Sequence, residues 1–136
     1  MNIPVSIKKI ACRLRIYSPT VEDILIEARE ILVKKGWTQG TMARNDAKLA
    51  VGTRDKTAVS FCSAGAINKA LYNYGVDPWA VYKGSDGRDA VTNNVAYQAL
   101  KAIYTSDMSV AAWNDDPFRS KADVLAVFDK AIEAQK

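Results

Sequence analysis

Histidine is absent from this 136-residue chain, and with it goes the residue most often used as general acid, general base and zinc ligand. Cysteine is scarce: Cys12 and Cys62 stand far apart, with no spacing that would build a zinc site. Two reduced thiols acting as small buried hydrophobes are the expectation. No stretch approaches the roughly 20 apolar residues that cross a bilayer, and the first residues lack the basic, apolar and small-residue order of a secretory signal. Together these predict a cytoplasmic protein with no membrane contact. No phosphate-cradling glycine loop, dinucleotide fingerprint or serine nucleophile elbow occurs. No catalytic residue, metal ligand or cofactor is therefore assigned. An enzyme working through acidic side chains stays as a third reading, because nothing selects one pair among the 15 acids.

Acidic residues are missing from one place in particular. Residues 1–17 carry Lys8, Lys9, Arg13 and Arg15 and no acid, whereas the remainder balances 15 bases against 15 acids. Such a leading segment suits the charge-protected face of an edge strand. It also supports an alternative function, nucleic-acid binding, in which these four cations meet phosphate and Trp79 and Tyr82 stack on bases.

What is present reads as a mainly α domain. Ile10, Cys12, Leu14 and Ile16 alternate with Ala11, Arg13, Arg15 and Tyr17, as in a half-buried leading strand, while Ile3, Ile7, Ile10 and Leu14 share one face of a rival helix. Thr20 and Asp23 form a capping box that opens a helix over 21–35, which Gly36 ends. A short hairpin turning at Asn45-Asp46 is expected between Gly36 and Thr53. Helical spacing returns from Val59 to Leu71, where Gly65, Ala66 and Ala70 favour close packing, and it places Cys62 more than one turn inside the helix. Turn-forming residues fill 74–92, a further helix spans 93–104, and Ser120 with Asp123 caps the last one. The expectation is about four helices in one compact domain over 18–136, a short β-hairpin, and a leading segment 1–17 that is either an edge strand or a helix.

Two tryptophan-centred motifs carry the functional interest: Gly36-Trp37-Thr38-Gln39-Gly40 and Trp113-Asn114-Asp115-Asp116-Pro117. Buried indoles need a hydrogen-bond acceptor and amides can supply one, so these residues suit a buried polar joint. They equally suit a pocket or docking surface. Trp37, Gln39, Trp113, Asn114, Asp115 and Arg119 are the candidate binding residues. Arg119 stands just before a helix N-terminus, where the dipole disfavours a cation. Either Asp115, Asp116 or Asp123 compensates it, or it helps to form an anion site.

With Cys62-Ser63-Ala64-Gly65-Ala66 between them, and Arg119-Ser120 following, the two motifs resemble a family of small bacterial and phage-borne proteins of unknown function. That family shows G-W-x-Q-G, C-x-x-G-A and W-N-D-x-P-x-R-[ST] in this order, and the resemblance covers roughly residues 21–135. It implies bacterial, phage or mobile-element origin and no particular activity. Phe118 departs from the pattern, standing where the family has glycine, and segment 1–17 and the aromatic connection from Tyr72 to Arg88 lie outside the pattern. The expected function is a small non-enzymatic binding or accessory protein engaging a protein partner, or else a small ligand.

Overall fold

A computed structural model describes residues 3–76, 95–104 and 107–136. Among these, six helices and one two-strand ladder follow in the order α1 (Val5–Arg13), α2 (Val21–Lys34), β1 (Ala43–Arg44), β2 (Ser60–Phe61), α3 (Ser63–Asn73), α4 (Val95–Lys101), α5 (Val110–Asn114) and α6 (Lys121–Ala134). The fold is mainly α with a small antiparallel hairpin, as expected. The expected turns over 77–92, the start of the 93–104 helix, and Trp79 and Tyr82 lie outside the described residues.

α2 is the central element, packing on α3, α4, α6 and β2. Its Leu25, Ala28 and Leu32 face Ala66, Ile67 and Ala70 of α3, Leu100 of α4 and Phe128 of α6 in one continuous core. Both predicted capping boxes are formed: Thr20 Oγ1 accepts from Asp23 N while the Asp23 carboxylate accepts from Thr20 N, and Ser120 and Asp123 repeat the arrangement. Each box satisfies two backbone donors that an α-helix start would otherwise leave open.

One open choice is resolved and three local details go beyond the expectations or correct them. Of the two readings left open for the leading segment, the helix is the one formed, as α1; β1 and β2 are only two residues each, and their outer sides already carry the bridges from Ala50 and Trp37. A helix meets its own backbone hydrogen bonds, whereas a lone strand cannot. The hairpin pairs Ala43 with Phe61 and Arg44 with Ser60. The turn at Asn45 to Leu49 returns the chain for a single bridge between Arg44 and Ala50. α3 begins at Ser63, so Cys62 is its N-cap rather than an interior residue. Finally, α5 was not anticipated; Ser109 caps it, its side chain accepting from Ala112 N.

The small-residue stretch permits two close approaches: Ala66 and Ala70 are buried where α3 packs on α2, and Gly65 lies against backbone. A Cβ built on Gly65 would stand 2.0 Å from the Met42 carbonyl oxygen. Glycine at 65 is what lets α3 start against the segment that leads into β1.

Candidate functional site

The two tryptophan motifs meet. Asn114, fully buried at the end of α5, is the hub. Its Oδ1 accepts from Trp37 Nε1 at 2.7 Å, from Ser63 Oγ at 2.8 Å and from the Ser63 backbone N–H at 2.9 Å. Its Nδ2 donates to the Thr38 carbonyl at 3.1 Å and to Asp115 Oδ1 at 3.0 Å. Donors surround one end of the amide and acceptors the other, which fixes its orientation. Because Ser63 is the first residue of α3, Asn114 also satisfies a helix-start N–H from 51 positions away.

The remaining motif residues complete the joint. Gln39 Nε2 donates to the carbonyls of Asn114 and Asp116, and Asp115 Oδ1 accepts from Gly40 N. Arg44 braces the first motif from behind, donating to Thr38 Oγ1, the Gln39 carbonyl and the Lys48 carbonyl. Ser63 and Arg44 are joint members to which sequence reasoning gave no role, although both adjoin the motifs. Trp113 and Asn114 are buried, Trp37, Gln39 and Arg119 half-buried, and Asp115 exposed.

Arg119 has its compensation. Its guanidinium lies 3.8 Å from the Trp113 ring centroid, its Nε donates to the Trp113 carbonyl at 3.0 Å, and a terminal nitrogen stands 3.9 Å from Asp116 Oδ2. Tyr104 stacks on the same indole with centroids 5.0 Å apart, so the Trp113 ring meets both a cation and a phenol. Burial pushes the Tyr104 hydroxyl up to about 12. Beside this stack Phe118 is 95% exposed.

Cys62 occupies a helix start, the position that usually favours a thiolate. Burial wins over the helix field: it pushes the thiol up to about 11, despite the backbone N–H of Gly65 that Sγ accepts at 3.2 Å. The residue is a cap, not a nucleophile poised at neutral pH.

The cationic leading segment is arranged differently from a phosphate-facing surface. Lys8 Nζ pairs with Asp23 at 2.8 Å and Lys9 Nζ with Glu27 at 2.5 Å, both acids being buried on α2. Tyr17 also donates to Asp23. Burial alone would raise the Asp23 pKa, but hydrogen bonds from Lys8, Tyr17 and the Thr20 backbone outweigh it and hold the carboxyl below its ordinary value. Arg13 reaches the Asn73 carbonyl at 3.3 Å. α1 thus turns its lysines inward, and Ile7, Ile10 and Leu14 outward, each more than half exposed.

Among the described residues no group of three or more His, Cys, Asp or Glu side chains is placed to hold a metal ion, and no helix is long and apolar enough to cross a membrane. No curated protein and no solved structure matches the chain. Residues 17–134, which include the whole joint and exclude α1, match the model of DUF6197, so the chain belongs to this family of unknown function.

Proposed function

We propose that the chain is a small, non-enzymatic cytoplasmic binding or accessory protein of bacterial or phage origin, and that it engages a protein partner through α1. The observation that carries this reading is the inverted amphipathicity of α1. An amphipathic helix normally buries its apolar stripe. Here Ile3, Ile7, Ile10 and Leu14, at spacings of four, three and four, face solvent together, while Lys8 and Lys9 hold the opposite face to α2. Clustered exposed apolar side chains on a soluble domain mark an interaction surface, and this spacing is that of a helix laid into a groove. Arg13, Arg15 and the lack of any acid in the segment favour a groove with an acidic rim.

In this reading Trp37, Gln39, Trp113, Asn114, Asp115 and Arg119 act as the joint that holds the family domain rigid beneath the docking helix. The free thiols of Cys12 and Cys62 are compatible with a reducing compartment. Nucleic-acid binding is less favoured, because two of its four cations are engaged with Asp23 and Glu27.

The test is affinity capture from a bacterial host, comparing the full chain with an Ile7→Ser/Ile10→Ser variant of equal helicity and melting temperature. A discrete protein should be retained by the former and lost with the latter, and should then bind the purified chain in calorimetry. Equal retention by both proteins would remove α1 from the interface.

A further inference from the structure

Tyr72, exposed on α3, draws two cations to one ring. The Arg54 guanidinium carbon lies 5.4 Å from the ring centroid and the Lys69 ammonium 5.0 Å from it. Arg54 is exposed and Lys69 half-buried. Local structure explains the convergence. Lys69 and Tyr72 are three residues apart on α3 and so share one face of the helix. Arg54 comes from the loop before β2, which the buried Thr53 ties to α3 through a hydrogen bond from its hydroxyl to the Asn68 amide oxygen, one position before Lys69.

The other cation–ring contacts among the described residues are built differently. Lys8 over Tyr17, Lys9 over Tyr74 and Arg119 over Trp113 each have a carboxylate as well, from Asp23, Glu27 and Asp116 in turn. Among the described residues neither cation on Tyr72 has one. Asp55, next to Arg54 in the chain, accepts instead from the Thr57 N–H and hydroxyl. Two further cations add to the cluster. Lys56 stands exposed on the same loop, and Lys35, which closes α2, acts on Lys69 through space: burial first, and then repulsion by Lys35, push the Lys69 ammonium below its ordinary value. Like charges are thus gathered at a cost that a bound anion would relieve.

We propose that Arg54 and Lys69, gathered on Tyr72 and supported by Lys35 and Lys56, bind the phosphate backbone of a nucleic acid without regard to its sequence. An arginine and a lysine held together suit phosphate oxygens, which accept charge-assisted hydrogen bonds from both. Nucleic acid is favoured over an acidic polypeptide because these four cations and Tyr72 contribute no aliphatic branch of the kind that lines α1. Protein interfaces bury an apolar core from which charge is depleted, whereas nucleic-acid interfaces are more polar and more positive. The cluster shares no residue with α1 or with the joint, so it stands whatever role α1 has. It also avoids the leading segment, whose two lysines are engaged with Asp23 and Glu27.

A fluorescein-labelled oligothymidylate is the probe, titrated with the full chain at low salt and followed by anisotropy. Binding should weaken as salt rises, with a log–log slope of roughly −2 to −3 for three or four neutralised phosphates. Arg54→Gln/Lys69→Gln should weaken it at least tenfold, while Ile7→Ser/Ile10→Ser should leave it unchanged. Unlabelled poly-glutamate of matched charge should fail to displace the probe. If the double variant does not fold, Arg54→Gln alone, at an exposed position, should weaken binding at least threefold. No binding at low salt, indifference to the Arg54 and Lys69 changes, loss with the α1 variant, or full displacement by poly-glutamate would each overturn the assignment.

Discussion

The indole N–H of Trp37 ends on the carboxamide oxygen of Asn114, 2.7 Å away and 77 positions along the chain. That oxygen is shared with both donors of Ser63, so one side chain ties the loop after α2, the start of α3 and the end of α5.

Removing that amide strands several groups at once. Asn114→Ala leaves the Trp37 indole N–H, the Ser63 donors and the Thr38 carbonyl without their partner, and each buried unsatisfied group costs about 1–3 kcal/mol. Urea denaturation should show a loss of at least ~3 kcal/mol. In a double-mutant cycle with Trp37→Phe the two losses should fall well short of additivity, since both remove the same bond. Additive losses would mean that the bond contributes little.

Gly65→Ala tests a different contact. The new methyl would lie 2.0 Å from the Met42 carbonyl oxygen, a backbone atom that can move only by displacing the segment leading into β1. Destabilisation of about 3 kcal/mol or more is expected, where an ordinary helical Gly→Ala change stabilises by up to ~1 kcal/mol. A melting temperature at or above that of the parent protein would show that the approach is looser than described.

The anchorage of α1 should be acid-labile. Asp23 has its carboxyl held below the ordinary value in the folded chain. A depressed folded pKa contributes stability that is fully present above the unfolded value of about 3.9 and is lost as pH falls through the folded one. The Lys8 pKa is raised, chiefly by its hydrogen bond to Asp23, so its share persists below the unfolded lysine value of about 10.4 and disappears as pH rises through the folded value. Hydrogen exchange of α1 amides should therefore accelerate, relative to those of α3, at both pH extremes. With Asp23→Asn the acid-side change should shrink to what the Lys9–Glu27 pair alone contributes, and α1 should exchange faster at neutral pH.

Thiol chemistry should separate the two cysteines. Burial pushes Cys62 up to about 11 and raises Cys12 to a lesser degree, and Cys12 is only half-buried. At pH 7.5 a maleimide should label Cys12 in the native chain and reach Cys62 only in denaturant. Mass spectrometry showing native Cys62 labelled at the Cys12 rate would contradict the burial described.

The features legible in the sequence are those encoded within one helical turn. Thr20 with Asp23 and Ser120 with Asp123 are three residues apart, and each pair forms the predicted cap. Periodicity grouped Ile3, Ile7, Ile10 and Leu14 correctly, but it carries no sign. It cannot say that the acids Asp23 and Glu27 would claim the opposite, lysine-bearing face of α1. The hydrogen-bonding potential of the motifs was visible in their composition, whereas their pairing was not, because it spans more than 70 residues. α5 escaped notice because five residues hold too little periodicity to stand out from a loop.

The joint also constrains the order of events during synthesis. Trp37, Gln39 and the first residue of α3 leave the ribosome long before Asn114 does, and at roughly 5–20 residues per second that interval lasts several seconds. Throughout it the Trp37 indole N–H and the Gln39 side-chain amide have only water for a partner. The domain closes when its last quarter emerges, so a premature stop before Asn114 yields a chain that retains most of the α2 and α3 core but cannot lock it.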